Sequence, residues 1–450
     1  MTHKPRPGRW WRLPARVGYV VFAQALYWLA VVWRRLLRRT TFIAITGSHG
    51  KTTTKELLAA VLGGAGPTIK GARNDNTGLG LTRNVLRVRP WHRFAVLEVG
   101  VGGPGEMGRL GRLVQPDLAV VLSVLRSHIG TFGTLEAHAA EKEILLRRAR
   151  RGGVALLNGD DPRVAGMAKS ARGELLRFGS SPTFEVWADG VAARWPGRLE
   201  LDLHTRDGDS CHVRTRLVGP HWRAAVTAAL AAAWKLGVPL RQAADAVAAV
   251  EPFAGRMQPQ VLPSGAVVLR DEYDGSVDAF LAGVAALAGA RAARRIAVIA
   301  DVSAYGSTPL RRRVAMLGRQ VAPFVEAAVF VGPEARRGTR AAIATGLAPE
   351  RVWAFSGLRE TAEFLRAELR AGDLVYLKGR VSDHLARLFF AQLGPIRCWI
   401  AHCDKTIECD FCPELGIADA DRQRARDCPP TWDGATSTEN NRVPPSVEAG

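Results

Sequence analysis

Short runs of apolar residues alternate with amphipathic stretches through most of this chain. In the first half, apolar runs occur at residues 42–45, 94–99, 118–122 and 154–158. Helical periodicity occurs at residues 135–151 and 224–236. Strands that are apolar throughout are typical of a parallel sheet covered by helices on both faces. We therefore predict an α/β domain with a mostly parallel sheet, in which the shorter runs of residues 183–218 form an antiparallel edge or a small subdomain.

The same alternation begins again after a break at residues 251–257, which contain proline and glycine and which we interpret as a hinge. Further apolar runs lie at residues 267–271, 295–300, 327–331 and 374–377, with helical stretches at 278–287 and 358–369. This pattern predicts a second, smaller, Rossmann-like α/β domain.

A glycine loop between the first apolar run and a helical stretch carries the strongest chemical signal. It reads Thr-Gly-Ser-His-Gly-Lys-Thr-Thr-Thr over residues 46–54. In such a loop, glycines let backbone N–H groups approach a polyphosphate, the lysine reaches the outer phosphates, and the next hydroxyl suits Mg²⁺. Ile45 stands where the strict motif has glycine, and a plain glycine turn is the alternative. We predict a P-loop-type ATP site formed by Gly47, Ser48, Gly50, Lys51, Thr52 and Thr53.

These patterns divide the 450 residues into four segments. We predict a basic hydrophobic arm over residues 1–40, a central ATP-binding domain over 41–255, a C-terminal domain over 256–397, and a cysteine cluster with a tail over 398–450. The apolar share of 47% is enough for two cores. From about residue 418 the chain is polar and proline-containing, which is typical of disorder.

The formal net charge of +20 is concentrated in the arm, since residues 1–40 contain nine Lys and Arg and no Asp or Glu. Basic proteins attract nucleic acid or anionic lipid. No basic stripe with interleaved aromatic residues occurs in the body of the chain, so nucleic acid is not the partner we expect.

The arm encloses an uncharged apolar run at residues 17–33 with tryptophan and tyrosine near both ends. This length is at the lower limit for a membrane-spanning helix, and the aromatic residues resemble interface anchors. One interpretation is a membrane anchor or in-plane helix, with the enzyme at the inner, cytoplasmic face of the membrane. The other is a hydrophobic helix packed on the first domain.

Several further motifs follow the phosphate loop in a fixed order. They are Lys55-Glu56, Asn74-Asp75-Asn76-Thr77-Gly78, Glu98-Val99-Gly100, Ser127-His128-Ile129-Gly130, Ala140-Glu141-Lys142-Glu143, Asn158-Gly159-Asp160-Asp161-Pro162, Gly219-Pro220-His221, Gly255-Arg256-Met257-Gln258, Asp271-Glu272-Tyr273-Asp274 and Leu377-Lys378-Gly379-Arg380. With the loop, they cover about residues 41–392. Over this length the chain resembles the Mur ligases, which join a carboxylate to an amine with ATP, and within them the ligases that add D-alanyl-D-alanine.

The resemblance implies an ATP-dependent amide-bond ligase that works through an acyl phosphate, in cell-wall peptide synthesis or the synthesis of a related polymer. Its substrates would be an amino acid or dipeptide and a carboxylate acceptor. The implied catalytic residues are Lys51, Glu98, His128 and Lys142, and the implied Mg²⁺ site is Thr52, Glu98, His128 and Lys142. Glu98 also ends an apolar strand, where ligands of open α/β sheets gather and a carboxylate suits Mg²⁺.

In the family, the lysine that matches Lys142 is carbamylated, which turns a cation into a carboxylate-like metal ligand. Without the motif order, Lys142 would be an exposed helical lysine between two glutamates. In the same way, Glu98 alone would be a solvated strand end and His128 a loop histidine.

Three further sets of residues have both a functional and a structural interpretation. Asn74 and Asn76 are substrate contacts or turn residues. Asp271, Asp274 and Arg256 hold the nucleotide or the domain arrangement, although the family commonly has Asn at the position of Asp274. Lys378, Arg380 and His384 contact the carboxylate of the incoming amino substrate, or belong to a solvated face.

Two departures bear on the acceptor. Mur ligases carry a uridine-nucleotide-binding domain before the loop, whereas 45 residues precede the loop here, and Trp222 stands where the family often has Asn. We therefore expect this chain to lack that domain and to take a lipid-linked or polymeric carboxylate, in a layout that resembles the poly-γ-glutamate synthases. A small-molecule amide ligase and a non-catalytic, ATP-binding membrane scaffold are the alternatives.

Four of the six cysteines are close together in sequence, namely Cys398, Cys403, Cys409 and Cys412. Cysteines at such spacing can bind a structural Zn²⁺. Reduced free thiols and disulfides are the alternatives, and ATP chemistry in the cytosol argues against disulfides.

Overall fold

The computed structural model describes residues 12–72, 75–126, 129–303, 308–401, 403, 405, 408–418, 420 and 422, with side chains from Val20 onward. The helices are α1 Arg12–Leu36, α2 Lys51–Gly63, α3 Gly78–Arg87, α4 Glu106–Val114, α5 Ile129–Phe132, α6 Leu135–Arg148, α7 Pro162–Ala165, α8 Arg223–Lys235, α9 Leu240–Ala248, α10 Val277–Ala288, α11 Leu310–Val321, α12 Ala335–Ala344, α13 Leu358–Glu368 and α14 Ala386–Leu393. The strands are β1 Thr41–Thr46, β2 Thr68–Lys70, β3 Phe94–Glu98, β4 Leu118–Val121, β5 Val154–Asn158, β6 Glu174–Gly179, β7 Val186–Ala192, β8 Glu200–Thr205, β9 Ser210–Arg214, β10 Gln258–Val261, β11 Val267–Asp271, β12 Arg294–Ile299, β13 Ala327–Val331, β14 Val352–Phe355 and β15 Asp373–Lys378.

The first sheet has the order β2-β3-β1-β4-β5-β6-β7-β8-β9 in the described part of the chain. Its strands are parallel from β2 to β7, and β7, β8 and β9 pair antiparallel. The predicted α/β class is therefore confirmed, and residues 186–214 form the antiparallel edge.

The carboxyl ends of the central strands position the site. Strand β1 lies between β3 and β4, and Ile45 pairs in register with Glu98. The phosphate loop leaves β1 at this edge, beside the end of β3. Chain connections leave in opposite directions from such a point, so a crevice forms there.

The second sheet has the order β10-β11-β15-β12-β13-β14 among the described residues, and it is parallel except for the β10–β11 pair. This arrangement confirms the second α/β unit. The domain boundaries at residues 40, 255 and 397 stay predictions.

Helices cover both faces of the first sheet. Helices α2, α8 and α9 contribute to one buried apolar cluster, and α1, α3, α4 and α6 contribute to the other. Two further clusters lie on the faces of the second sheet. Because strands such as β1 and β4 are buried on both sides, their sequences are apolar throughout.

Helix α1 packs along one side on the first domain. Tyr27, Ala30, Val31 and Leu37 are buried in the cluster that contains α3 and α4. The Arg34 guanidinium donates to the carbonyls of Val114 and Gln115 and to the Asp117 carboxylate, at 2.6, 2.7 and 3.0 Å. Within the residues described, no helix is long and apolar enough to cross a membrane.

The described part of the cysteine segment packs on the second domain. Nowhere in the described ranges do three or more His, Cys, Asp or Glu come together in a way that could hold a metal ion. The Cys409 thiol lies 3.4 Å from His384 Nδ1 within an apolar cluster, and burial raises its pKa to about 11. Cys398, Cys403, Cys409 and Cys412 form no disulfide in the structure. Zinc binding by these four cysteines stays a prediction.

Candidate active site

The phosphate loop is held open by backbone geometry that glycine permits. Gly47 has φ +152°, and a Cβ there would lie 2.8 Å from the Leu122 Cβ. Gly50 has φ +80° and precedes the first turn of α2. The loop is fastened to the end of β4, since Ser48 N donates to the Ser123 carbonyl at 2.8 Å and Leu125 N donates to Ser48 Oγ at 2.9 Å. The N-terminus of α2 therefore opens towards the crevice and can receive an anion.

Lys51 begins α2 and lies at the centre of the loop. Its ammonium donates to the Gly47 and Ser48 carbonyls at 2.8 and 3.2 Å. Burial lowers the pKa of Lys51, and the charges of Glu98 and Asp274 offset part of that effect. Two acidic residues on different elements therefore face the same cation.

Thr52 and Glu98 form a contact across the end of the sheet. The Thr52 hydroxyl donates to Glu98 Oε2 at 2.9 Å, and the Asn76 amide donates to Glu98 Oε1 at 2.7 Å. Glu98 is buried, so its carboxylate is fixed in place by these donors. A hydroxyl beside a fixed carboxylate is an oxygen donor set that Mg²⁺ prefers. Thr53 is buried in α2 and is not among the described residues that line the cavity.

Lys142 is buried on α6, although a lysine between two glutamates suggests an exposed position. Burial, with a further contribution from the charge of Lys51, lowers the pKa of Lys142 to about 7, while Glu141 acts in the opposite direction. The neighbouring Glu141 carboxylate accepts from the backbone N–H groups of Gly105 and Met107. The amine of Lys142 is therefore substantially neutral at neutral pH.

The second domain supplies the opposite wall of the cavity. His49 Nδ1 lies 3.0 Å from Asp274 Oδ2, and Arg256 Nη1 lies 3.8 Å from the same oxygen. Burial alone would raise the pKa of Asp274, but contact with His49 and the charges of Lys378 and Arg256 hold it well below its usual value. The His49 ring also stacks on Trp222 at a centroid distance of 5.2 Å.

Lys378 and Asp271 lie behind this wall. The Lys378 ammonium donates to Asp271 Oδ2 and to the Asp274 carbonyl, both at 2.6 Å, and both side chains are buried. In the structure the two residues form an internal ion pair, and Lys378 holds the backbone of Asp274. The predicted contacts of Lys378 with substrate and of Asp271 with nucleotide stay predictions.

Arg380 and His384 also have partners within the protein. Arg380 pairs with Asp383 at 2.6 Å and Asp301 at 3.0 Å, and it lies against Gly275 at the cavity edge. His384 is buried against Cys409. Arg380 lies next to the cavity, and the substrate contacts of Arg380 and His384 stay predictions. Asn74 and His128 lie outside the described residues.

Together these elements enclose a cavity of about 430 Å³ between the two domains, a volume typical of small-molecule sites. The described lining residues include Ser48, Gly50, Lys51, Thr52, Asn76, Glu98, Arg256 and Asp274. The cavity is also lined by three residues that were not predicted from the sequence, namely His49, Arg126 and Asp278. Asp278 Oδ2 is buried without a hydrogen-bond partner among the described residues. The position of Asp278 two residues after the N-cap of α10 and that of Arg126 beside Ser127 were the available signals.

Comparisons with known proteins agree with this geometry. Residues 45–233 match the family model of the Mur ligase middle domain. The UDP-N-acetylmuramoyl-tripeptide–D-alanyl-D-alanine ligase of Mycobacterium tuberculosis is 32% identical over 380 residues, covering 80% of this chain and 74% of that protein. The Escherichia coli enzyme of the same name is 29% identical over 282 residues, covering 61% of each chain.

Solved structures show the same likeness. MurF from Acinetobacter baumannii superposes with a TM-score of 0.74 at 26% identity, covering 82% of this chain and 79% of that one. MurF from Thermotoga maritima, solved in complex with ADP, has a TM-score of 0.70 at 22% identity and shares the fold, with 82% of each chain covered. The chain therefore belongs to the Mur ligase family. It is an ATP-dependent amide-bond ligase.

Proposed function

We propose that this enzyme adds an amino acid or dipeptide, with D-alanyl-D-alanine as the leading candidate, to the carboxylate of a cell-wall peptide precursor. The observation that carries the proposal is the shared cavity of the Lys51 loop, the Thr52–Glu98 pair and the Asp274 wall. The relatives named for D-alanyl-D-alanine ligation support this choice of amine.

The chemistry requires activation of a carboxylate, because hydroxide is a poor leaving group. The substrate carboxylate attacks the γ-phosphorus of ATP, ADP leaves, and an acyl phosphate forms. The amine then attacks the acyl carbon, the tetrahedral adduct expels inorganic phosphate, and the amine gives up a proton. The residues of the cavity orient the reactants and hold charge around the phosphoryl group.

Mg²⁺ would be held at Thr52 and Glu98, with His128 as an expected further ligand. Glu98 supplies a buried carboxylate and Thr52 a hydroxyl 2.9 Å from it. When bound, the ion would neutralise phosphate charge. Asn76 orients the carboxylate by donating to its other oxygen at 2.7 Å.

Lys142 would be carbamylated. A neutral amine adds to CO₂ and releases one proton, giving a carbamate with a single negative charge. The lowered pKa of about 7 provides the neutral amine, and burial protects the product from water. This modification would also place a negative charge near the positive charge of Lys51, which is a favourable interaction.

The group that carries the acceptor carboxylate, a nucleotide or a lipid, can be tested directly. We propose that the enzyme takes a lipid-linked or polymeric carboxylate and works at a membrane surface to which residues 1–40 contribute. Phosphate release from ATP would be measured with D-alanyl-D-alanine and either a UDP-linked or a lipid-linked tripeptide. Turnover with the lipid-linked acceptor alone supports the proposal. Equal or better turnover with the UDP-linked acceptor would remove the lipid part and leave the ligase chemistry standing.

A further inference from the structure

Helix α1 has a second apolar face that points away from the protein. Seven of the eleven exposed large hydrophobic side chains among the described residues lie on it, namely Val20, Val21, Phe22, Trp28, Leu29, Val32 and Leu36. Leu29 is 58% exposed and Leu36 is 65% exposed. Exposed apolar patches of this kind on a helix mark an interaction surface.

The inner face of α1 is fixed, so the outer face cannot turn inward. Arg34 is held by Val114, Gln115 and Asp117 as described above. The Tyr27 hydroxyl donates to the Arg109 carbonyl at 3.0 Å, and Trp33 Nε1 donates to the Val88 carbonyl at 2.9 Å. A ligand of the outer face therefore meets a helix that lies along the protein surface.

A basic concavity adjoins the apolar face. It is lined by Arg35, Arg112, Arg148, Arg150, Arg151 and Arg172, and we refer to these six residues as the arginine basin. Arg112 and Arg148 also line a neighbouring depression together with Trp28, so the basin and the apolar face are continuous.

Most of the basin charge is not neutralised within the protein. Arg150 pairs with Asp117 at 2.8 Å. Across the described residues, the other five arginines have no carboxylate within ion-pair distance. By contrast, Arg294 of the second domain pairs with Asp373 and Glu368, both at 2.7 Å. The basin therefore offers positive charge to an external anion.

We propose that α1 and the arginine basin form one docking surface for an anionic lipid bilayer, with α1 lying in the plane of the interface. The uncharged outer face enters the boundary between headgroups and acyl chains, and the basin contacts lipid phosphates. A second copy of the chain fits less well, because self-pairing through this face brings two basic basins together. A nucleic acid would use the basin and leave the apolar face in water. This inference deepens the membrane part of the proposed function and does not depend on the ligase chemistry.

The test is vesicle flotation of the full chain, without nucleotide, on phosphatidylcholine vesicles with and without phosphatidylglycerol. We expect binding to the anionic vesicles and weaker binding as salt rises. The variant Val21→Ser/Leu29→Ser/Leu36→Ser should lower partitioning about tenfold or more. The variant Arg112→Gln/Arg148→Gln/Arg151→Gln should lose the preference for anionic over neutral vesicles.

Two matched controls change equivalent residues elsewhere. Val261→Ser removes an exposed apolar side chain of the second domain, and Arg311→Gln/Arg312→Gln removes two exposed charges at the start of α11. Both should bind vesicles like the parent chain, and all variants should retain ligase activity in vesicle-free buffer.

Four results would overturn the proposal. The parent chain could fail to bind anionic vesicles, or the α1 variant could bind them as well as the parent. Alternatively, the α1 variant could convert a dimer of the parent chain to a monomer in sedimentation, which would assign the face to a second copy. Oligonucleotide binding lost in the basin variant but kept in the α1 variant would favour nucleic acid.

Discussion

His49 of the phosphate loop lies 3.0 Å from Asp274 of the second domain, across the cavity that contains Lys51. The loop and the opposite wall are therefore linked by a contact between the His49 ring and the Asp274 carboxylate. Arg256, from the predicted hinge, approaches the same carboxylate at 3.8 Å. We infer that Asp274 couples the position of the second domain to the state of the loop.

Replacing Asp274 by Asn should weaken this coupling. We expect a higher KM for ATP and a loss of about 1–3 kcal/mol in the free energy of unfolding, because His49 and Arg256 lose a charged partner. Steady-state kinetics and urea unfolding measure these quantities. Asp189→Asn is the matched control, since Asp189 pairs with His204 at the same distance of 3.0 Å on the surface. Asp189→Asn should lower the free energy of unfolding by less than about 1 kcal/mol.

The Asp274 contribution should also depend on pH. Its pKa in the folded state is depressed below the usual 3.8, so its contribution to stability is present above that value and is lost as pH falls towards the folded pKa. The difference in stability between the parent chain and Asp274→Asn should therefore be largest near neutral pH and shrink below about pH 4. A constant difference across this range would show that the Asp274 charge is not involved.

The free energy of unfolding should also depend on pH through Lys142, which is a base with a lowered pKa. Its folded pKa is about 7 and its ordinary value is 10.5, so the unfolded chain binds the extra proton between these values. In CO₂-free buffer, stability should rise with pH through this window. Lys142→Met should flatten the rise, and the exposed Lys169→Met should not. Loss of the slope on adding bicarbonate, with a mass increase of one CO₂ on intact protein, would indicate the carbamate.

Gly47 tests the shape of the loop. Gly47→Ala places a methyl group 2.8 Å from Leu122 Cβ on a backbone with φ +152°. This strain should lower the free energy of unfolding by about 1–3 kcal/mol. The variant should also lose ATP binding, which calorimetry measures. Gly63→Ala is the control, because a Cβ at this position in α2 meets nothing within 4 Å. It should leave ATP binding unchanged and add up to about 1 kcal/mol of stability. Normal ATP binding by Gly47→Ala would contradict the role of the loop.

Asp410 tests how the cysteine segment is held. It makes a bidentate pair with buried Arg270, with both distances 2.9 Å, and it contacts the Tyr273 hydroxyl next to the cavity. Asp410→Ala should lower the free energy of unfolding by about 3–5 kcal/mol, because Arg270 keeps a buried charge with Glu272 as its remaining partner. Glu363→Ala removes the exposed pair with Arg359 and should change stability by less than about 1 kcal/mol. Similar effects of the two changes would mean that Asp410 does not anchor the segment.

The apolar runs predicted strands β1 and β3, which lead to Thr52 and Glu98. The resemblance to the Mur ligases placed these two residues in one Mg²⁺ site, and in the structure the Thr52 hydroxyl lies 2.9 Å from Glu98 Oε2. The internal partners of Lys378 and His384 could not be predicted, because these partners lie far away in sequence. The Lys378 ammonium donates to Asp271, and His384 contacts Cys409 of the cysteine segment. The same limit applies to His49, whose partner Asp274 lies 225 residues away in sequence.

Transfer of a phosphoryl group from ATP to a carboxylate at the Lys51–Glu98 cavity is the central step of the proposed reaction. The decisive measurement follows ¹⁸O from a labelled tripeptide carboxylate, UDP-linked or lipid-linked, into inorganic phosphate during turnover with ATP and D-alanyl-D-alanine. We predict one labelled oxygen per phosphate released, with loss of turnover by about a hundredfold or more in Glu98→Gln and none in Glu106→Gln. Phosphate that carries no label, or equal turnover by Glu98→Gln and the parent chain, would contradict it.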